Sequence, residues 1–253
     1  MSYPLLPELS TIEWLLVIIA AAGIGISKSG FIGVGMVHVI ILANVFGARV
    51  STGILLPMLI VGDICSVLLF GQHTQWKFLR RLLLPATCGI VLAWLCMDRI
   101  DDSGFRLCLG CIIFGLTLTQ IARIWRPKWF EHFPHATWFA WALGLLAGFA
   151  TMLANAAGPI VALYLLAVSL PKMQLVGTGA WFFLLINIVK VPFSFNLGLI
   201  TLQSLSLNLV LAPVIVCGIL LGKSVVRRIP QKLFDSLLLT FTGIMSLRLI
   251  GLF

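Results

Sequence analysis

The chain has 253 residues, of which 60% are hydrophobic and only 10% are charged. A soluble domain carries about 45–50% apolar and about 25% charged residues, so these few charges could not cover the surface of a soluble fold. An ordinary cytosolic enzyme, a disordered chain and a coiled coil are therefore excluded, and an integral membrane protein remains. The net charge of +9 comes from basic residues between long apolar runs, which membrane orientation explains better than binding to nucleic acid.

Ten apolar segments follow one another along the chain, and we predict that each is helical. A full crossing takes about 20 residues. The last three segments of each half reach that length, whereas the first two are shorter and interrupted by Gly, Ser, Asn or Pro. A polar stretch predicts a first repeat over 1–123, a cytoplasmic linker over 124–137 and a second repeat over 138–253. The segments are 12–27, 31–46, 50–70, 78–97, 103–123, 138–154, 158–170, 174–192, 204–222 and 234–252.

The two halves resemble each other in sequence. Short motifs recur in the same order at offsets of 123 to 129 residues, which indicates an internal repeat. Broken segments at corresponding positions of two halves are typical of the binding site of a transporter. The matches are Gly33-Val34-Gly35 with Ala156-Ala157-Gly158, Ser51-Thr52-Gly53 with Gly177-Thr178-Gly179, and Pro85–Ile90 with Pro213–Ile219.

Basic residues in three linkers set the predicted orientation, because cytoplasmic loops carry an excess of Lys and Arg. The three linkers share one face only if the pair 138–154 and 158–170 goes out and back, as a hairpin or as two thin spans. Both termini are then periplasmic, and the second repeat of five segments is inverted relative to the first. The linker residues are Lys77, Arg80, Arg81, Arg123, Arg126, Lys128, Lys223, Arg227, Arg228 and Lys232.

The first candidate anion-binding stretch is 27–35, which lies between two apolar runs. A lysine at membrane depth is costly and needs a cavity, a partner or a route to the interface. Unwound backbone here could point N–H groups at an anion, although a turn at the interface with a snorkelling Lys28 is the alternative. The candidate substrate-binding residues are Ser27, Lys28, Ser29, Gly30, Gly33 and Gly35.

The second candidate stretch is Asn155–Pro159, where one helix is predicted to stop and another to start. A helix N-terminus offers free N–H groups and a partial positive charge, so Asn155, Gly158 and Pro159 are candidate substrate ligands. Close helix contact through small residues is the alternative explanation.

Buried charges give the third set of candidates. Asn187 and Lys190 lie one turn apart on one helix face, and the repeat offset places Asp63 opposite Lys190, so we predict an Asp63–Lys190 charge pair. The pair could be structural, or it could take part in transport. Thr178, in the recurring motif, is a further substrate-binding candidate, and His38 is either a packed histidine or a proton relay.

No cofactor or metal is expected. Cys108 and Cys111 have C-x-x-C spacing, but no second pair or nearby His completes a zinc site. The sequence also lacks ATP-binding, zinc-protease and serine-hydrolase motifs, so an enzyme is not predicted.

These features together resemble the TauE/SafE family of sulfite and sulfonate exporters, over nearly the whole chain. The resemblance implies a bacterial inner-membrane carrier with two homologous halves, whose substrates are small anions such as sulfite, sulfoacetate and other organosulfonates. The stretches that carry it are Gly25–Gly35, Gly53–Asp63, Thr151–Pro159, Gly177–Phe183 and Arg228–Phe234.

We therefore expect a secondary transporter, working as an exporter, with a small anionic substrate bound between the two breaks. The lipid bilayer is its other partner; a homodimer is one arrangement the sequence leaves open, and nucleic acid is not expected. A passive anion channel and a receptor or structural membrane protein without transport are the alternatives.

Overall fold

The computed structural model describes residues 6–7, 9–31, 35–96, 114–115, 118, 121 and 136–250. These residues form helices and connecting turns without any strand, which confirms the all-helical class. A short 3₁₀ turn, Gly71–His73, follows the third helix. The helices are α1 (Thr11–Lys28), α2 (Gly35–Phe46), α3 (Ala48–Phe70), α4 (Trp76–Cys96), α5 (Thr137–Ala154), α6 (Ala157–Ala167), α7 (Lys172–Asn196), α8 (Leu202–Arg228) and α9 (Gln231–Ile250).

Six of the described helices are long and apolar enough to cross a membrane. Most of the predicted segment 103–123 and most of the linker 124–137 lie outside the described residues. The six candidate spans are Thr11–Lys28, Val50–His73, Trp76–Cys96, Thr137–Ala154, Lys172–Asn196 and Leu202–Arg228.

The prediction that the first segment of each half is short is wrong, because α1 and α5 each have 18 residues. The start of α1 is stabilised by a capping box, in which the Ser10 side chain accepts from the Glu13 amide and Glu13 accepts from the Ser10 amide. Helix α1 extends to Lys28, whose ammonium forms an ion pair with Asp63 inside the protein. Among the helices that the structure describes, α2, with 12 residues, and α6, with 11, are the short ones.

Each short helix folds back along the helix before it. In the first half, a Cβ placed on Gly23 of α1 would lie 4.0 Å from the Cβ of His38 on α2. In the second half, the rings of Phe139 near the start of α5 and Tyr164 near the end of α6 have centroids 6.2 Å apart. Each half thus begins with a helical hairpin.

The second hairpin lies deep in the protein, since every residue of α6 except Gly158 is buried. Eleven residues at about 1.5 Å each span only half of a hydrocarbon core of about 30 Å. The helix therefore reaches the interior of the bundle and is covered by protein rather than by lipid.

Close glycine contacts join each hairpin to the fourth helix of the other half. Gly25 of α1 faces the backbone carbonyl of Ile215 on α8, and Gly148 of α5 faces the carbonyl of Ala86 on α4. Small residues let the backbones of membrane helices approach closely. Within lipid the hydrophobic effect does not drive helices together, so van der Waals packing at such contacts stabilises their association. Helices α3 and α7 pack against each other between these two pairs, and they carry most of the buried polar groups.

Candidate anion-binding site

A cavity of about 50 Å³ lies where the breaks of the two hairpins meet. A water molecule needs roughly 10–15 Å³ of such space, so the cavity has room for a few waters or one small ion. Its wall combines polar groups from both halves with apolar side chains of α3 and α7. The lining residues are Ser27, Lys28, Gly30, His38, Leu59, Asp63, Ser66, Thr151, Asn155, Gly158, Val176, Gly179, Ala180, Phe183 and Asn187.

The first break places a lysine at the cavity. The chain leaves α1 through Gly30, whose φ of 132° is unfavourable for any residue with a Cβ. Ser66 of α3 donates a hydrogen bond of 2.7 Å to the carbonyl of Lys28, which satisfies one of the free acceptors at the helix end. The ammonium of Lys28 also lies 4.6 Å from the ring centroid of Phe183, at cation–π distance.

Asp63 of α3 is the anionic centre of the site. Its side chain has no solvent exposure, and its Oδ1 lies 2.5 Å from Nζ of Lys28. The second oxygen, Oδ2, accepts a hydrogen bond of 2.7 Å from the Asn187 amide of α7. A buried carboxylate requires such partners, because an isolated charge pays a large desolvation cost.

Lys190 of α7 is fully buried as well. Its Nζ donates a hydrogen bond of 2.6 Å to Oδ1 of Asn155 and a longer one of 3.4 Å to Oγ1 of Thr151. These partners are neutral, and within the described residues the recorded ion pair of Asp63 is with Lys28. The observed pairing therefore differs from the predicted Asp63–Lys190 pair.

The physical reason for this difference is register. Asp63 lies opposite Asn187 across the α3–α7 contact, and the offset of 124 residues between them falls within the range of the repeat offsets. Lys190 lies three residues further along α7 and reaches the end of α5 instead. The offsets between matching motifs range from 123 to 129 residues, so they do not fix which residue of α7 faces Asp63. A shift of one helical turn changes the neighbour that a side chain contacts.

The second break depends on the backbone of Asn155. This residue caps α5 in the left-handed conformation, with φ 52° and ψ 31°, and the Ala156 amide donates back to the carbonyl of Ala150 at 3.3 Å. Such a closure is a common helix end and tolerates Asn or Gly best. The side chain of Asn155 is thereby held against Lys190, and the start of α6 comes to the cavity through Gly158.

The structure brings together half of the predicted substrate ligands. Six of the twelve line the cavity: Ser27, Lys28, Gly30, Asn155, Gly158 and Asn187. Lys190 contacts the lining residue Asn155 from behind, and Pro159 is buried in the first turn of α6. Gly35 begins α2, and Gly33 lies outside the described residues.

Two predicted ligands make structural contacts instead. The Oγ of Ser29 donates to the Ile26 carbonyl at 2.7 Å, and the side chain packs against Gly222 of α8. The Oγ1 of Thr178 accepts from the Gln75 amide at 2.9 Å, which ties α7 to the turn before α4.

Sequence reasoning missed several residues of the wall. Ser66 and Phe183 line the cavity, but each looks like an ordinary residue of an apolar helix. A signal was present in their spacing, because Ser66 lies three residues after Asp63 and Phe183 four residues before Asn187, which puts each pair on one helix face. His38, interpreted from the sequence as either a packed histidine or a proton relay, also lines the cavity.

Apolar helices that bury charged groups between two helical hairpins, each interrupted by a break, define a multi-pass membrane protein of the transporter type. The family model described as sulfite exporter TauE/SafE matches residues 16–249. The chain therefore belongs to the TauE/SafE family of membrane transporters, as its motifs predict. No curated protein and no solved structure matches it.

Proposed function

We propose that the protein is a secondary carrier that exports small anions, such as sulfite, sulfoacetate or another organosulfonate, across the bacterial inner membrane. The family supports an anion exporter. Within it, the cavity between the two hairpin breaks is the proposed substrate site.

The main support for this proposal is an excess of buried positive charge at the cavity. Lys28 and Lys190 are both held in the cavity wall or directly behind it, and Asp63 is the carboxylate that the described structure places among them. With Lys190 protonated, two cations against one anion leave one positive charge without a counterion in a low-dielectric region. A bound anion would supply the missing charge, and the N-terminus of α6 beside Gly158 would stabilise it further.

The distribution of polar groups supports an inverted repeat. With offsets of 123 to 124 residues, Lys28 corresponds to Thr151, Ser66 to Lys190 and Asp63 to Asn187. In each half the end of the first helix meets the third helix: Ser66 bonds to Lys28, and Lys190 bonds to Thr151. The two halves thus build the same junction but place the lysine on opposite partners.

The glycine contacts follow the same correspondence. Adding 123 to Gly25 gives Gly148, and adding 129 to Ala86 gives Ile215, and these four residues form the two matching helix crossings. Two inverted halves around one central site are the architecture of carriers that work by alternating access. A hairpin that goes out and back also supports the proposed topology, with the basic linkers in the cytoplasm and both termini in the periplasm.

A passive channel is the second candidate, but the site favours a carrier. Its volume is small, and the charges around it are paired or hydrogen-bonded to groups of both halves. An ion pathway that conducts continuously needs weak, repeated sites, whereas one buried site between two similar halves suits alternating exposure.

Saturable transport by purified protein in liposomes tests the proposal. We expect efflux of sulfite to saturate with concentration and Lys190→Met to abolish it, because the binding site loses its excess positive charge. Lys77→Met, which removes an exposed lysine, is the matched control and should leave efflux unchanged. Flux that rises linearly with sulfite and survives Lys190→Met would contradict the carrier and its site.

A further inference from the structure

Two polar nitrogens in the cavity wall have no hydrogen-bond partner among the described residues. They are Nδ1 of His38, from the first hairpin, and Nδ2 of Asn155, from the second. His38 is only 3% exposed, so a partner for Nδ1 would have to occupy the cavity that His38 lines. Buried polar groups are nearly always satisfied, and an exception on each side of one cavity indicates that a ligand uses both.

The orientation of the Asn155 amide follows from its other contact. A lysine ammonium can only donate hydrogen bonds, so the Asn155 atom that lies 2.6 Å from Nζ of Lys190 must be the oxygen. The amide nitrogen is then the atom left free, and it offers N–H groups that Lys190 cannot use.

We propose that His38, with a proton on Nδ1, and the Asn155 amide each donate a hydrogen bond to a separate oxygen of the bound anion, so that the site selects oxyanions over halides of equal charge. This inference rests on the proposed function, because it specifies how the proposed substrate is recognised. Lys28 and Lys190 attract any anion through charge alone. His38 and Asn155 add donors in two fixed directions, which a halide without separate oxygen atoms cannot use as well.

Selectivity of this kind is expected to be substantial. A site built to hydrogen-bond its ligand rejects an analogue that lacks the matching group, because the buried donors stay unpaired. Loss of one hydrogen bond to a charged group corresponds to roughly a 10- to 100-fold change in affinity.

Binding of methanesulfonate and bromide to purified protein tests the inference, since both ions carry one negative charge and only the first has oxygens. We expect His38→Leu to weaken methanesulfonate binding roughly 10- to 100-fold and to leave bromide binding within about twofold. His38→Asn, whose amide nitrogen lies near the position of Nδ1, should restore most of the preference.

Asn208 provides the matched control. It is a buried side chain of α8 whose amide nitrogen and oxygen both lack partners among the described residues, and it does not line this cavity. Asn208→Leu should keep the wild-type preference. His38→Phe, which keeps a planar ring, repeats the comparison if His38→Leu protein does not fold.

The outcomes separate this inference from the proposed function. An unchanged ratio of methanesulfonate to bromide affinity in folded His38→Leu or His38→Phe protein would overturn the role of His38, while saturable sulfite transport would still stand. If the wild-type protein binds neither ion nor sulfite, both the inference and the proposed site are overturned.

Discussion

Breaking the Lys28–Asp63 ion pair from one side should destabilise the protein far more than removing both charges. Asp63 has no solvent exposure, Lys28 is 11% exposed, and their charged atoms lie 2.5 Å apart. The perturbations are Asp63→Asn, Lys28→Met and the double variant. Asn and Met keep approximately the volume of the original side chains, so the change is mainly one of charge.

The magnitude follows from the burial of the pair. Removing one partner of a buried ion pair costs about 3–5 kcal/mol, because the other charge stays buried without compensation. Two neutral side chains of similar volume are often tolerated without loss. We therefore expect each single variant to lose about 3–5 kcal/mol, and the double variant to lose much less than the sum of the two.

Thermal unfolding of the detergent-solubilised protein, followed by tryptophan fluorescence in a buffer low in oxyanions, measures the effect. In a domain of about this size, 1 kcal/mol corresponds to a shift in Tm of about 2–4 °C. Each single variant should thus unfold about 6–20 °C below the wild type, with the double variant well above both singles.

Additive losses, within about 0.5 kcal/mol, would refute the ion pair. The matched cycle combines Asp63→Asn with Lys190→Met. Because Lys190 donates to Asn155 and Thr151 rather than to Asp63, this second cycle should show a smaller coupling energy. A larger coupling for Lys190 than for Lys28 would favour the pairing predicted from the sequence over the one in the structure.

Three further predictions concern the backbone and the topology. Gly148→Ala should destabilise the protein by about 1–3 kcal/mol or more, because its Cβ would collide with a backbone carbonyl of α4, whereas Gly23→Ala, with its nearest neighbour at 4.0 Å, should unfold near the wild-type temperature. Asn155→Gly keeps the left-handed helix end and should fold but lose stabilisation by sulfite, while Asn155→Leu should lower Tm as well, since its φ of 52° strains a branched side chain; sulfite stabilisation of Asn155→Gly equal to wild type would argue against a ligand role. Single cysteines introduced at Arg80 and Arg227, in an otherwise cysteine-free background, should resist a membrane-impermeant reagent added from the periplasmic side, and labelling at either would contradict the proposed orientation.

Most of the helical framework could be predicted from the sequence, because hydrocarbon imposes a simple rule. Backbone groups in a bilayer must be satisfied within the helix, so apolar runs and their polar interruptions mark helices and breaks directly. The predicted segments 50–70 and 78–97 lie close to α3 and α4. The break at Asn155–Pro159 was also predictable, because Asn, Gly and Pro favour the start of a helix. In the structure, however, Asn155 caps the end of α5 and Ala156 precedes the start of α6.

Which buried groups meet was decided by the tertiary structure alone. Lys28 and Lys190 were both recognisable as costly charges, but the register between α3 and α7 determines whether Asp63 faces Asn187 or Lys190. The packing of the end of α1 against α3 then brings Lys28 to Asp63. The free nitrogens of His38 and Asn155 are likewise invisible in the sequence, because a missing partner is a property of the packed neighbourhood. Composition and periodicity thus determined the helices and the charged residues between them, and helix packing determined the site, because contacts across 124 residues depend on a register that local sequence does not encode.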